Sequence, residues 1–271
     1  MPENLESENL HREKLRQALE VAISNPEESI IATTIRRGWQ SSAKPVLVRG
    51  IDGNEYVVKG KQAGRQIIND RVVAKIGQAM RSPVGEPYLI EISQDLIELN
   101  PEFSYLATGI AHGTKFIPNC SDDRELFLHI DKSKNLARFA SLANLYGWMY
   151  ASDHQFIYKK QSPRLVYSVD HGNFFVGSPE WTIESLGRQV APAAPDNLIV
   201  STYKLNFEYL MGAIFFISDE TDEISEQIEQ IIVQAVGSVP EEWSITIDER
   251  IALIKYLMQR LHSLDTYYWS D

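Results

Sequence analysis

Three short segments carry residue types that can handle a phosphate ester. In Glu55-Tyr56-Val57-Val58-Lys59 the alternation of a strand puts Val57 and Lys59 on one face and Val58 on the other. Lys59 is then a fixed cation within reach of phosphate oxygens, and Val57 can cover a purine ring. The second segment is Ser152-Asp153-His154-Gln155 and the third is Ser168-Val169-Asp170-His171-Gly172. A carboxylate that ends a strand, as Asp170 does, can hold magnesium through hard oxygen ligands. Asp153, which follows an apolar helix, could orient or deprotonate an attacking hydroxyl. Phosphoryl transfer needs these three parts: a cation on the phosphates, a metal-holding carboxylate and a residue that positions the nucleophile.

Each part alone has a plainer reading. Lys59 can be the polar end of a strand, and either aspartate can be a turn or cap residue. Their joint occurrence favours chemistry. The loop Gly38-Trp39-Gln40-Ser41-Ser42-Ala43-Lys44 can turn backbone N–H groups toward a phosphate, although it lacks the Walker spacing and serves equally well as a hairpin connection. The two Asp-His dipeptides also admit a transition-metal hydrolase. Against it, no histidine pair has helical metal spacing, and His11, His112, His129 and His262 are scattered.

The elements that must position these residues fall into two stretches. Leu10–Ser24 has an apolar stripe at helical spacing and ends at Asn25-Pro26. β-Branched runs follow at Ile30–Ile35, Val46–Arg49 and Glu55–Lys59, with Asp52-Gly53 as a tight hairpin turn between the last two. Gln66–Met80 reads as a helix, then Tyr88–Ser93 and Ser104–Thr108 as strands. Beyond Gly109 helices dominate: Lys134–Tyr150, Ser225–Val236 and Asp248–His262, with a short hairpin within Phe156–Phe175 and a strand at Leu165–Val169. A β-rich part followed by a helical part, without regular alternation, predicts an α+β fold with its ligand cleft between the parts. The expected division is a helical extension over residues 1–28, a small antiparallel-sheet lobe over 29–110 and a helical lobe over 111–271.

Composition narrows the function classes. The formal net charge of -11 opposes non-specific binding to nucleic acid or anionic membrane. A single cysteine, Cys120, allows no internal disulfide and predicts a reducing, cytoplasmic setting. The most continuous apolar run, Tyr209–Ile217, is too short to span a bilayer.

With those residues in view, the chain resembles the HipA-like kinase family, whose fold is similar to that of protein and phosphatidylinositol kinases. The resemblance spans roughly residues 30 to 265. It rests on Gly53–Lys59, on Asn69-Asp70-Arg71 opening into a helix, on Thr108-Gly109, on Trp148–Gln155 and on Ser168–Phe175. It implies a two-lobed kinase fold and an ATP-dependent phosphotransferase acting with Mg2+ on a serine or threonine hydroxyl of a protein or small molecule. Lys59 would contact the ATP phosphates, Asp153 would be the catalytic aspartate and Asp170 the metal-binding one. Asp70 would pair with Lys59, and Ser41 and Ser42 would lie in the phosphate loop. Kinases of this kind place an asparagine five residues after the catalytic aspartate, where this chain has Tyr158; Gln155 offers a substitute amide oxygen for the metal. That departure leaves a nucleotide- or partner-binding pseudokinase as the alternative. No nucleic-acid partner or membrane insertion is expected; a regulatory protein partner is compatible.

Four tryptophans, Trp39, Trp148, Trp181 and Trp243, read as packing residues. Tyr267, Tyr268 and Trp269 read as an aromatic tail docked on the helices. The acidic run Asp219–Glu226 reads as a helix start, where carboxylates complement the dipole.

Overall fold

The β-branched runs after Ser29 form a sheet that closes on itself. In the computed structural model, which describes residues 2–123, 130–213 and 222–269, strands β1 (Ser29–Gly38), β2 (Val46–Gly50), β3 (Glu55–Lys59), β4 (Pro87–Ile92) and β5 (Gly109–Lys115) make a barrel of order β1-β2-β3-β5-β4. An antiparallel sheet was the expectation. The ladder that closes the barrel, Ser29–Ile31 against Leu89–Glu91, is instead parallel. The cause is the length of β1. Register shifts between Ala32 and Thr34 and between Ile35 and Arg37 bend it, so its first half pairs with β4 while its second half pairs with β2. Val46, Val48, Tyr56, Val58, Ile90 and Ala111 fill the barrel interior.

A second correction concerns the last strand. Ser104–Thr108 is not extended: Pro101–Leu106 is a 3-10 turn opened by proline, and the strand begins at Gly109. β5 hides from a propensity reading because it carries glycines. Gly113 is needed there, since a Cβ would lie 2.3 Å from the Ile90 side chain crossing the barrel interior. β5 therefore runs across the expected boundary between residues 110 and 111.

Helix α1 (Pro2–Ser24) precedes the barrel, and α2 (Gln66–Ala79) and α3 (Gln94–Glu98) are inserted in it. α2 lies between the barrel and the helices that follow, touching β4 and β5 on one side and α8 (Asp222–Gly237) on the other. Its apolar residues Ile67, Val72 and Ile76 belong to the large helical core, so α2 is held on both flanks. Each such buried aliphatic contributes about 1.5–3 kcal/mol. After the barrel come β6 (Cys120–Ser121), α4 (Lys132–Met149), β7 (Phe156–Lys159) and β8 (Val166–Ser168); the three short strands form a sheet of order β6-β7-β8. Then follow α5 (Ile183–Leu186), α6 (Asn197–Tyr203), α7 (Phe207–Gly212), α8 and α9 (Ile247–Trp269). Asp131 caps α4 through the Lys134 N–H, and α4 ends where Tyr150 turns left-handed at φ 60°.

α1 packs mainly on α8 and α9 and not on the barrel that follows it in sequence. Among the tryptophans, Trp148, Trp181 and Trp243 are buried, while Trp39 is only half-buried, with Arg37 over its ring at 4.5 Å. The C-terminal tail docks through Tyr268, whose hydroxyl donates to Asn144 Oδ1 at 2.5 Å; Trp269 itself is exposed. The acidic run opens α8 from Asp222, and its residues 219–221 lie outside the described residues, as do His129 and residues 214–217 of the apolar run. Among the described residues no helix is long and apolar enough to cross a membrane.

Candidate active site

Lys59 ends β3 on the face it shares with Val57, and in register it stands opposite His112 of β5. Its ammonium lies 2.7 Å from Asp70 Oδ2 and 2.5 Å from Asp170 Oδ1. The barrel, α2 and the loop after β8 thus meet at one nitrogen. Lys59 is 6% exposed and Asp70 3%, while the Asp170 side chain keeps 26% of its surface. Burial alone would lower the lysine pKa. The two carboxylates outweigh it and hold the ammonium above its ordinary value.

α2 also fixes the loop that carries Asp170. Asp70 Oδ1 accepts the His171 N–H at 2.5 Å, Asn69 Nδ2 donates to the Gly172 carbonyl at 2.7 Å, and Asn69 Oδ1 accepts the Trp181 indole N–H at 2.7 Å. Asp170 itself sits at φ +58°, a left-handed conformation that aspartate tolerates better than most residues. The expected strand Leu165–Val169 is shorter, Val166–Ser168, so Asp170 stands two residues past its end. The turn after the strand directs its carboxyl back to Lys59.

His171 faces inward. Its Nε2 is 2.7 Å from Ser168 Oγ, which is 2.7 Å from the Tyr146 hydroxyl on α4. Burial, reinforced by the nearby Lys59 charge, pushes its pKa down to about 4 although Asp70 opposes this. The imidazole is therefore neutral and structural.

Asp153 follows α4 after the left-handed turn at Tyr150. Its Oδ1 accepts the His154 N–H at 2.8 Å, and its Oδ2 accepts Gln155 Nε2 at 2.7 Å. His154 points away, with Nε2 3.0 Å from Asp196 Oδ2, the cap of α6. With its amide nitrogen given to Asp153, Gln155 has its oxygen left for a cation.

These side chains surround two adjoining depressions. The first, about 750 Å3, is walled by Ser41, Val57, Lys59 and Asp70 on one side and by Gln155 and Asp170 on the other. The second, about 600 Å3, holds Asp153, His154, Phe156, Leu198 and Tyr203. Asp122, Gln155, Ile157 and Val169 border both. Ser42 is exposed and lines neither, and Lys61, past the end of β3, turns to Glu242 at 3.4 Å. Tyr158 is buried in β7, where its hydroxyl donates to the Asp123 carbonyl, so the side chain five residues after Asp153 does not enter the cleft.

Several wall residues escape a motif reading. Trp39, Thr114 and His112 line the first cleft. His112 is buried, its Nδ1 has no hydrogen-bond partner, and burial beside Arg71 and Lys59 drives its pKa well below the usual value. Once β5 is known to pair with β3, the register Lys59–His112 and Val57–Thr114 identifies both. Asn69, which clamps the Asp170 loop, was visible only as a neighbour of Asp70. The metal-hydrolase alternative finds no support: the histidines of the two dipeptides are committed to Asp196 and Ser168, and among the described residues no three His, Cys, Asp or Glu side chains gather as a metal site.

None of the curated proteins matches the chain. Among solved structures it is similar to that of a Helicobacter pylori proinflammatory kinase, CtkA, with a TM-score of 0.54 at 10% identity, covering 90% of this chain and 97% of that one. At that identity the likeness speaks for the fold. The family model for HipA-like kinases matches residues 31–170, from β1 through Asp170. With half of its length matched by that model, the chain belongs to the HipA-like kinase family.

Proposed function

We propose that the chain is an ATP-dependent kinase that transfers the γ-phosphate to a serine or threonine hydroxyl. The observation that carries this reading is the meeting of Lys59, Asp70 and Asp170 at the back of the 750 Å3 cleft. In this reading the barrel with α2 is the nucleotide lobe, the helices after β5 form the catalytic lobe, and α1 is an extension docked on the latter. Val57 covers the base, Ser41 and the loop around it approach the phosphates, and Lys59 offsets their charge. Asp170 and the Gln155 amide oxygen are the hard donors suited to Mg2+, which would supply charge neutralisation on the phosphates. Asp153 accepts the hydroxyl proton as the acceptor oxygen bonds to the γ-phosphorus and the bridging P–O bond to ADP breaks. The net charge of -11 and the single cysteine accord with a cytoplasmic protein that avoids nucleic acid and membranes.

The buried position of Tyr158 favours a second reading, a pseudokinase that binds nucleotide or a regulatory partner without turnover, because the usual second metal amide is absent there. Incubation with γ-labelled ATP and Mg2+ separates the two. A kinase labels itself or a generic acceptor and loses the label in Asp153→Ala; tight nucleotide binding without label supports the pseudokinase.

A further inference from the structure

The two adjoining depressions differ in charge. The first is lined by four cations, Arg37, Lys59, Lys115 and Lys160, beside three carboxylates, Asp70, Asp122 and Asp170, two of which pair with Lys59. Among its described residues the second has no lysine or arginine, and it has two carboxylates, Asp122 and Asp153. Beside the polar His154, Gln155 and Thr202, the rest of its wall is apolar and aromatic: Phe156, Ile157, Val169, Leu198, Ile199 and Tyr203. Leu198, on the first turn of α6, is 58% exposed, and Tyr203 at the other end of the helix is fixed by stacking on Phe139 at 3.4 Å. The Asp153 carboxylate, where an acceptor hydroxyl must arrive, belongs to this second groove and not to the first.

We propose that the groove between Asp153 and α6 is the acceptor site, and that it takes a peptide segment whose serine or threonine is flanked by an apolar residue and a lysine or arginine. This rests on the kinase reading. The apolar neighbour lies against Leu198, Phe156 and Tyr203, and the cation lies toward Asp122. An anionic acceptor, such as a nucleic acid, a phosphorylated lipid headgroup or an acidic peptide, would meet two carboxylates and, among the described residues, no compensating cation. Like-charge juxtaposition of that kind is strongly unfavourable in a partly desolvated groove.

The test uses the full chain with Mg2+ and a non-hydrolysable ATP analogue. Fluorescent serine peptides differing only in flanking residues (Leu with Arg, Leu with Glu, Gly with Arg) and a short oligonucleotide are titrated by anisotropy, and labelled transfer is then measured with ATP. The Leu–Arg peptide should bind about tenfold more tightly than either of the others, a difference near 1.4 kcal/mol. Leu198→Asp, an exposed change, should erase the advantage of Leu over Gly, and Asp122→Asn should shrink that of Arg over Glu. Equal or tighter binding of the Glu peptide or the oligonucleotide overturns the proposal, as does an unchanged preference in Leu198→Asp. Analogue binding, measured in the same samples, distinguishes the two failures: if it is normal, only the acceptor assignment falls, and if it is absent, the nucleotide reading falls with it.

Discussion

The chain contains the same dipeptide twice, Asp153-His154 and Asp170-His171, and the two copies lie in opposite environments. In the first, the aspartate caps its own neighbours and borders an open groove, while the histidine is part-buried against Asp196 at the surface of the helices. In the second, the aspartate occupies a left-handed turn and meets a buried lysine, while the histidine is sealed in a chain of hydrogen bonds with Ser168 and Tyr146. What differs is the partner of each. α2 reaches the second copy through Asn69 and Asp70, whereas the hydrogen bonds of the first copy go to its own neighbours and to Asp196. A carboxylate held by a cation is suited to a phosphate-bound metal; one that accepts a backbone N–H and a side-chain amide N–H at the edge of an open groove is suited to receive a proton.

The comparison can be broken most strongly at Asp153. Asp153→Asn should lower transfer by about 10^2–10^4-fold while leaving nucleotide affinity near the wild-type value, as calorimetry and single-turnover labelling would show. Next is the clamp on the second copy. Asp70→Asn removes the buried one of the two counter-charges of Lys59 and weakens the hold on the His171 N–H, so denaturant unfolding should register a loss of about 3 kcal/mol. His171→Ala should cost about 2 kcal/mol by removing a buried hydrogen-bonded ring, against under ~1 kcal/mol for His154→Ala.

The same histidine gives a pH signature. The unfolded chain protonates His171 near pH 6.5, the folded chain only near pH 4. Stability from this group is therefore complete above pH 6.5 and declines as the pH falls toward 4, by at most roughly 3 kcal/mol. His112 acts in the same direction, and His171→Gln should flatten the pH dependence of the melting temperature in that window. The smallest effect is expected where α2 is braced from behind. Glu27 pairs with Arg71 and Lys75, but it is 41% exposed, so Glu27→Gln should cost under ~1 kcal/mol.

Local pattern carried much of this architecture. The helices expected at Gln66–Met80 and Lys134–Tyr150 are present, at Gln66–Ala79 and Lys132–Met149, because a run of buried apolar residues marks each. β2 and β3 were visible because Asp52-Gly53 joins two β-branched runs. β5 was not, since its glycines serve the crossing of Ile90, a contact made only by the closed barrel. Closure through the parallel β1–β4 ladder was equally hidden, because it depends on a bend in β1 and not on any residue type. In the site, Lys59, Asp153 and Asp170 were readable as chemistry-bearing types next to strand or helix ends. The residues around them, Asn69, His112 and the Ser168–Tyr146 pair, were not, because their meaning lies in contacts between elements far apart in sequence. Trp39 was misjudged for a related reason: a tryptophan in a loop reads as packing, and only the position of that loop at the cleft makes it a wall residue.

The central claim is that Lys59 and Asp170 handle the nucleotide while Asp153 handles the acceptor. Titration calorimetry of a non-hydrolysable ATP analogue, with and without Mg2+, into the wild type, Asp170→Asn and Asp153→Asn tests it most directly. The wild type and Asp153→Asn should bind the analogue equally and more tightly with Mg2+, whereas Asp170→Asn should lose the Mg2+ dependence. A wild type that fails to bind, or equal losses in the two variants, would contradict the division of labour.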